Sequence, residues 1–327
     1  MKAKFLYLTS VFFCVILFSC SKKDDTINKE ISALADSQSS TLSVNLNVSD
    51  MASWMSYVPD ATPINQLSIP GTHDSGARHE PVSGTAKTQD LTIIEQLEAG
   101  VRFLDIRCRH YQDAFVIHHG AIYQHLNFDD VLHACKQFLT ANPSETIVMS
   151  IKQEHTAEGN TRTFPEEFQR YVNKDQALWY LSPGIPTMGD VRGKIVLFKR
   201  FGSPEVQGID ASHDWADKAT FTIQNNDYRL RVQDEYEVSN NNTKIQRISS
   251  LFQESLQADG SQPTLYVNFA SGYRKILGLI PNIPDVANVV NPWLSNYFNT
   301  AQAGRYGIIP MDFVNADATF KIVQTNF

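Results

Sequence analysis

The sequence predicts an α/β protein, a single irregular β/α barrel of the TIM type, and three observations carry that reading. Short apolar runs rich in β-branched residues recur from Leu67 to Ile309, each ending in polar or charged residues. Segments with three-and-four apolar spacing lie between them, and strand alternating with helix is the pattern of a parallel sheet. Seven or eight strands fall in one stretch of about 280 residues, which suits a closed barrel better than an open doubly wound sheet.

The chain opens differently. Lys2 and Lys4 precede a mostly apolar run over residues 5–18, the layout of a secretory leader and too short for a comfortable bilayer span. Its end, Leu17-Phe18-Ser19-Cys20, resembles the bacterial lipobox, which implies removal of residues 1–19 and lipidation of Cys20. Residues 20–50 are rich in Ser, Asp, Asn and Thr and read as a flexible tether of roughly 30 Å. Residues 51–327 then form the barrel domain. The expected location is an exported bacterial lipoprotein held at a membrane, with the outer membrane or cell surface favoured.

Composition narrows the partners. The chain carries 28 Lys plus Arg against 35 Asp plus Glu, 42% hydrophobic and 19% charged residues, an ordinary globular profile. Loss of Lys2 and Lys4 with the leader leaves 26 basic against 35 acidic residues, or −9, so neither nucleic acid nor an anionic surface would attract it by charge. Of four cysteines only Cys108 and Cys135 lie in the folded part; Cys135 falls on the apolar face of a helix and reads as a buried thiol. A monomer is expected.

The strands are read in order. Leu67-Ser68-Ile69 runs into Pro70-Gly71-Thr72-His73-Asp74; residues 101–107 end at Arg107; residues 114–117 precede His118-His119-Gly120; residues 146–151 precede Lys152. Residues 194–198 precede Lys199-Arg200, residues 264–269 precede Ala270-Ser271, and residues 306–309 lead toward Asp312. Residues 229–233, ahead of Asp234, alternate polar with apolar and predict a strand with one wetter face. Phe128, Val131, Leu132, Cys135, Phe138 and Leu139 form a helical stripe with Asn127 as N-cap and Pro143 as stop; Leu91, Ile94 and Leu97 do the same ahead of Gly100. The short link from Arg107 to Phe115 leaves little room for a helix, hence an irregular barrel.

In such barrels chemistry gathers at the C-terminal ends of the strands. His73, Asp74, Arg107, His119, Lys152, Arg200, Asp234 and Asp312 are expected to meet at one mouth. His118 and His119 cannot both face it, because neighbours on a strand point to opposite faces. The remaining histidines, including His110, read as surface residues.

The blocks Ser68-Ile69-Pro70-Gly71-Thr72-His73-Asp74-Ser75-Gly76, Phe103-Leu104-Asp105-Ile106-Arg107, His118-His119-Gly120, Lys194-Ile195-Val196-Leu197-Phe198-Lys199-Arg200 and Val232-Gln233-Asp234-Glu235-Tyr236 resemble, in order, those of bacterial phosphatidylinositol-specific phospholipase C. The resemblance implies metal-independent cleavage of phosphatidylinositol to diacylglycerol and inositol 1,2-cyclic phosphate. It makes His73 the general base, supported by Asp312, and His119 with Asp74 the general acid, with Arg107 on the phosphate; Asp105, in an Asp-x-Arg at a strand end that is usually a structural ion pair, reads as orienting. It assigns Lys152, Arg200 and Asp234 to the inositol hydroxyls and Tyr236 to stacking under the ring; Lys152 and Arg200 could equally be barrel salt-bridge partners. No cofactor and no metal is implied, because Arg107 would occupy the place of a cation.

One stretch departs from the family. Members that act on bilayers carry an apolar, tryptophan-bearing helix soon after the first block, whereas residues 77–84 here are polar. A second rim element, residues 276–284, is apolar and broken by Gly and Pro, and reads either as a lipid-facing loop or as a buried connection. The alternatives to the main reading are a related barrel phosphodiesterase acting on glycosyl-phosphatidylinositol or another glycerophosphodiester, and a tethered inositol- or carbohydrate-binding protein without turnover.

Overall fold

β-Branched and aromatic runs, buried on both faces, build one curved sheet in the computed structural model, which describes residues 46–327. The expected leader, Cys20 and most of the expected tether lie outside the described residues. Seven parallel strands carry the fold: β1 (Ser68–Thr72), β2 (Phe103–Tyr111), β5 (Ile147–Glu158), β7 (Ile195–Lys199), β10 (Arg229–Gln233), β11 (Thr264–Asn268) and β14 (Gly307–Met311). They pair in the order β7-β5-β2-β1-β14-β11-β10. Every residue of β1, β7, β11 and β14 is buried, as strands covered on both faces require. β10 buries alternate residues first, matching its alternating sequence.

Four short strands decorate the path: β3 (Ala114–His119) and β4 (Ile122–Asn127) beside β2, β6 (Trp179–Tyr180) and β8 (Ile209–Asp210) beside β7. β9 (Thr220–Gln224) runs antiparallel to β10. Between β8 and the β9–β10 turn the sheet has no ladder among the described residues, and side chains bridge the seam instead. The Asp210 N–H donates to Tyr228 Oη at 2.7 Å, and Asn225 Nδ2 donates to the Asp210 carbonyl at 3.1 Å. The barrel is thus an irregular one.

Helices form where their caps dictate. Thr92 and Glu95 make a capping box for α1 (Ile93–Glu98), and Asn127 with Asp130 does so for α2 (Phe128–Ala141), whose expected stripe is buried throughout. α3 (Phe164–Lys174), α4 (Met188–Val191), α5 (Asn241–Gln257), α6 (Ile283–Asn299) and α7 (Ala316–Gln324) complete the cover. None of the helices of the described residues is long and apolar enough to cross a membrane.

A 3-10 segment, Val48–Tyr57, crosses the expected boundary at residue 50 and closes the pole at which the parallel strands begin. Trp54 is fully buried and donates through Nε1 to the Gly100 carbonyl. Arg102, also fully buried, pairs with Glu145 at 2.8 Å and donates to the carbonyls of Met51 and Ala52. Arg192 donates to those of Met55 and Val58.

Two local expectations change. β3 is antiparallel to β2, joined through Gln112 and Asp113, both left-handed (φ 49° and 57°), the geometry of a two-residue hairpin turn. His119 therefore reaches the mouth at the returning end of a hairpin, not at the end of a barrel strand. His110, expected on the surface, is buried with its ring edge-on to Phe115 and Phe164, because the same hairpin folds over α3. Cys108 and Cys135 are buried and unbonded.

Candidate active site

The ends of β1, β2, β3, β5, β7, β10 and β14 surround a cavity of about 350 Å³. His73, Arg107, His119, Lys152, Arg200, Asp234, Tyr236 and Asp312 line it, and Asp74 lies fully buried at its edge. The nine expected site residues are thus brought to one place.

Backbone pairing sets the two histidines. The His73 N–H donates to the Met311 carbonyl, extending the β1–β14 ladder by one residue. The Gln89 side-chain amide reinforces it, Nε2 donating to the carbonyls of both His73 and Met311. Asp74 adopts φ 40°, a left-handed conformation an aspartate tolerates better than a branched residue, and its N–H donates to Asp105 Oδ2. That turn sends His73 and Asp74 to opposite sides of Arg107.

A continuous polar chain results. His73 Nδ1 is 2.8 Å from Asp312 Oδ1, and Arg107 Nη2 is 2.8 Å from His73 Nε2. A guanidinium can only donate, so Nε2 is the acceptor and Nδ1 carries the proton given to Asp312. Asp312 is held in turn by the Gly272 N–H on Oδ2 at 3.1 Å. Arg107 Nε binds Asp105 Oδ2 at 3.0 Å and stands 3.9 Å from Asp74 Oδ2, which makes a 2.8 Å ion-pair contact with His119 Nδ1. That last contact lacks the geometry of a hydrogen bond, and among the described residues neither Asp74 oxygen has a hydrogen-bond partner. The opposite nitrogen of His119, Nε2, is left for the cavity.

Electrostatics follow from these contacts. Burial works against a charged His119, yet the Asp74 carboxylate outweighs it and raises the imidazole above its ordinary value. Burial also opposes the charge of Arg107, but Asp105, Glu154 and Asp74 surround the guanidinium and hold its proton more tightly than usual. Burial would raise Asp105, but Arg107 and Arg200 hold its carboxyl well below the ordinary range. Asp105 is thereby an orienting group between two arginines, further fixed by the Ser150 hydroxyl at 3.0 Å.

The far wall is polar and aromatic. Lys152 Nζ is 2.8 Å from Glu154 Oε2, and burial together with Arg107 lowers the lysine. The Arg200 guanidinium lies 3.6 Å over the Trp215 ring and 3.4 Å from Asp105 Oδ1, while Trp215 Nε1 donates to Asp234 Oδ2 at 3.1 Å. Tyr236 donates to Asp217 at 2.5 Å and tilts against Tyr273. Lys152 and Arg200 are therefore both salt-bridge partners and cavity residues.

Glu154, Trp215, Asp217 and Tyr273 also line the cavity, and sequence reasoning did not single them out. Glu154 had a readable signal: two residues beyond Lys152 on a strand, it must share that face. The other three stand in irregular segments with no periodicity. His118, on the opposite face from His119, is buried and stacks on His155. Among the described residues, one group has metal-ligand spacing, His110, Asp113 and Glu167 on the barrel flank, and the Arg162 guanidinium already sits on its two carboxylates.

Residues 77–84 form turns with no helix, gathered by Glu80, which accepts from the N–H groups of Gly84, Ala86 and Lys87. Residues 276–284 are not a buried connection. Strands β12 (Arg274–Ile276) and β13 (Ile280–Asn282) form a hairpin beside the mouth, with Leu277 93% and Leu279 81% exposed, and α6 begins at Ile283.

Comparison with known proteins returns one family. Residues 61–201 match the model for phosphatidylinositol-specific phospholipase C, X domain. The chain is 39% identical over 233 residues to the 1-phosphatidylinositol phosphodiesterase of Staphylococcus aureus, covering 67% of this chain and 74% of that one. It is 30% identical over 284 residues to that of Listeria monocytogenes, covering 84% of each. A crystal structure of the S. aureus phosphatidylinositol-specific phospholipase C superposes with a TM-score of 0.78 at 31% identity, covering 86% of this chain and all (100%) of that one. The L. monocytogenes enzyme gives 0.67 at 28%, covering 85% and 99%.

Proposed function

The chain belongs to the phosphatidylinositol-specific phospholipase C family, and on that footing we propose that it cleaves phosphatidylinositol to diacylglycerol and inositol 1,2-cyclic phosphate without a metal ion. The observation that carries this is the chain Asp312–His73–Arg107–Asp74–His119 along one cavity wall. A binder has no use for a base and an acid on either side of a fixed cation.

Each residue then has a step. Once the substrate phosphate draws the Arg107 Nη2 donor away from His73, the freed Nε2 takes the proton of the inositol 2-hydroxyl, and Asp312 steadies the imidazolium that forms. The freed oxygen attacks phosphorus within the same molecule, which removes much of the entropic barrier. Arg107 stabilises the charge gathering on the phosphoryl oxygens, where three carboxylates already fix its orientation. As the bond to the glycerol oxygen breaks, His119 Nε2 gives that oxygen a proton and diacylglycerol leaves. Water opens the cyclic phosphate more slowly, with the two histidines exchanging roles. Lys152, Arg200 and Asp234 hydrogen-bond the ring hydroxyls and Tyr236 stacks beneath the ring; a choline headgroup would leave these groups unpaired.

Access to the lipid runs through the hairpin tip, where Leu277 and Leu279 enter the bilayer beside the mouth. Cys20, outside the described residues, carries the lipid anchor of an exported protein. The test is diacylglycerol release from phosphatidylinositol against phosphatidylcholine. We expect release from the first lipid alone, with His73→Ala and His119→Ala each lowering the rate by about 10² to 10⁴. Equal turnover of both lipids, or activity untouched in both variants, contradicts the proposal.

A further inference from the structure

β10 ends at Gln233, and the next three residues, Asp234, Glu235 and Tyr236, belong to no helix or strand, yet two of them line the cavity. The Asp234 N–H still reaches the Ala219 carbonyl at 2.9 Å, but beyond that bond the sheet gives no support. Glu235 is held from beneath by one side chain. Lys244 on α5, fully buried, donates through Nζ to the Glu235 carbonyl and to Gln233 Oε1, both at 3.0 Å. Gln233 Oε1 also accepts the Glu235 N–H at 2.8 Å, so Gln233 and Lys244 clamp both backbone polar groups of that residue. Gln233 is fixed in turn, its Nε2 donating to Asn268 Oδ1 and to the Phe269 carbonyl, both at 2.9 Å, and Asn268 Nδ2 donates to the Ile248 carbonyl one turn along α5 from Lys244.

We propose that Lys244 is a positioning residue for inositol recognition: its ammonium, acting through Glu235, presets the Asp234 carboxylate and the Tyr236 ring that receive the headgroup, a role that rests on the phospholipase reading above. Glu235 stands between the two contact residues, so a shift of its backbone moves both. Trp215 on Asp234 and Asp217 on Tyr236 orient the side chains, whereas Lys244 sets the main chain that carries them. Ordering this stretch in advance spares the ligand that cost, so the effect belongs to binding; His73, Arg107 and His119, which act on the phosphate, come from other strands. A neutral amide could satisfy the same two acceptors without taking a charge out of water. The lysine adds a positive charge behind two carboxylates of the cavity, Asp234 and Asp312, and these with Glu235 oppose the burial that brings the ammonium down to about 8. The other charged groups nearby are engaged elsewhere: Arg247 on α5 with Glu235 at 3.0 Å, and Asp285 on α6 with Arg274 at 3.0 Å.

The experiment follows hydrolysis of soluble inositol 1,2-cyclic phosphate by the whole protein, which reads headgroup binding with no bilayer involved. Lys244→Met keeps the length of the side chain and replaces a buried ion with an apolar group, a change that folds commonly tolerate. We expect KM to rise about tenfold and kcat to fall by less than about threefold. In an Asp234→Ala background the same replacement should move KM by less than about threefold, because the group it positions is gone. In the native enzyme KM should climb by about threefold or more as pH rises through about 8, since loss of the proton weakens both hydrogen bonds and removes the charge behind Asp234. An unchanged KM in Lys244→Met, an equal KM factor in both backgrounds, or a native KM that stays flat between about pH 7 and 9 overturns the proposal, and the last is measured whether or not the variant folds. Absence of turnover by the native protein, on the cyclic phosphate and on phosphatidylinositol in mixed micelles alike, overturns the phospholipase reading and this proposal with it; an active variant with the native KM overturns this proposal alone.

Discussion

At His119 burial and an adjacent carboxylate pull in opposite directions, and Asp74 wins. The raised value keeps the ring protonated, and so competent as an acid, further into the neutral range than an isolated histidine. Asp74→Asn is expected to move the alkaline limb of the kcat profile to lower pH and to reduce kcat itself; an unmoved limb counts against the acid role. Lys244 offers a second test. It is fully buried on α5 and donates to Gln233 Oε1 and the Glu235 carbonyl, both at 3.0 Å, beneath the loop that carries Asp234 and Tyr236. Burial brings its ammonium down to about 8 despite the nearby carboxylates of Asp234, Asp312 and Glu235. Between that value and the unfolded value the unfolded chain binds the extra proton, so this group's contribution to stability rises with pH above about 8 and is least favourable below it. Lys244→Met is therefore expected to change the slope of stability against pH between 8 and 10 in urea titrations. The reactive pair was legible because motif and strand end coincide at His73 and Arg107; Trp215 and Asp217 were not, since an irregular segment gives no face to count along.

The elements that escaped the sequence are hairpins. Gln112-Asp113 has neither Gly nor Asn to advertise its two left-handed residues, so a strand continuing the parallel order was the natural reading of 114–117. The second hairpin, β12–β13, puts Leu277 and Leu279 into solvent, where each forfeits roughly 1.5–3 kcal/mol that burial would return. Changing both to Ser is expected to leave the fold and the hydrolysis of soluble inositol cyclic phosphate intact. Vesicle affinity should fall by at least about tenfold, as loss of some 1.4 kcal/mol implies. Unchanged sedimentation with vesicles would remove the hairpin from the docking surface.

For the whole molecule, barrel class was readable because buried parallel strands are written as continuous β-branched runs. Its irregular seam was not, because closure there depends on Tyr228 and Asn225 side chains and not on a ladder. The strand-start pole is stapled by the fully buried Arg102–Glu145 pair, with the guanidinium 4.5 Å from the Phe138 ring. Arg102→Ala should cost about 3–5 kcal/mol in urea unfolding, because it strands a buried carboxylate, while the double replacement Arg102→Met with Glu145→Met should cost much less. Equal losses would show that the pair is not coupled.

At the other pole the organising claim is that one guanidinium, ringed by Asp74, Asp105 and Glu154, supplies the charge that a divalent cation supplies in metal-dependent phosphodiester cleavage. Phosphorus NMR of phosphatidylinositol turnover in excess EDTA tests it most directly. The expected course is the five-membered cyclic phosphate first and inositol 1-phosphate later, at a rate that chelation leaves unaltered. Silence in EDTA with recovery on adding calcium, or the monophosphate appearing with no cyclic precursor, would contradict it.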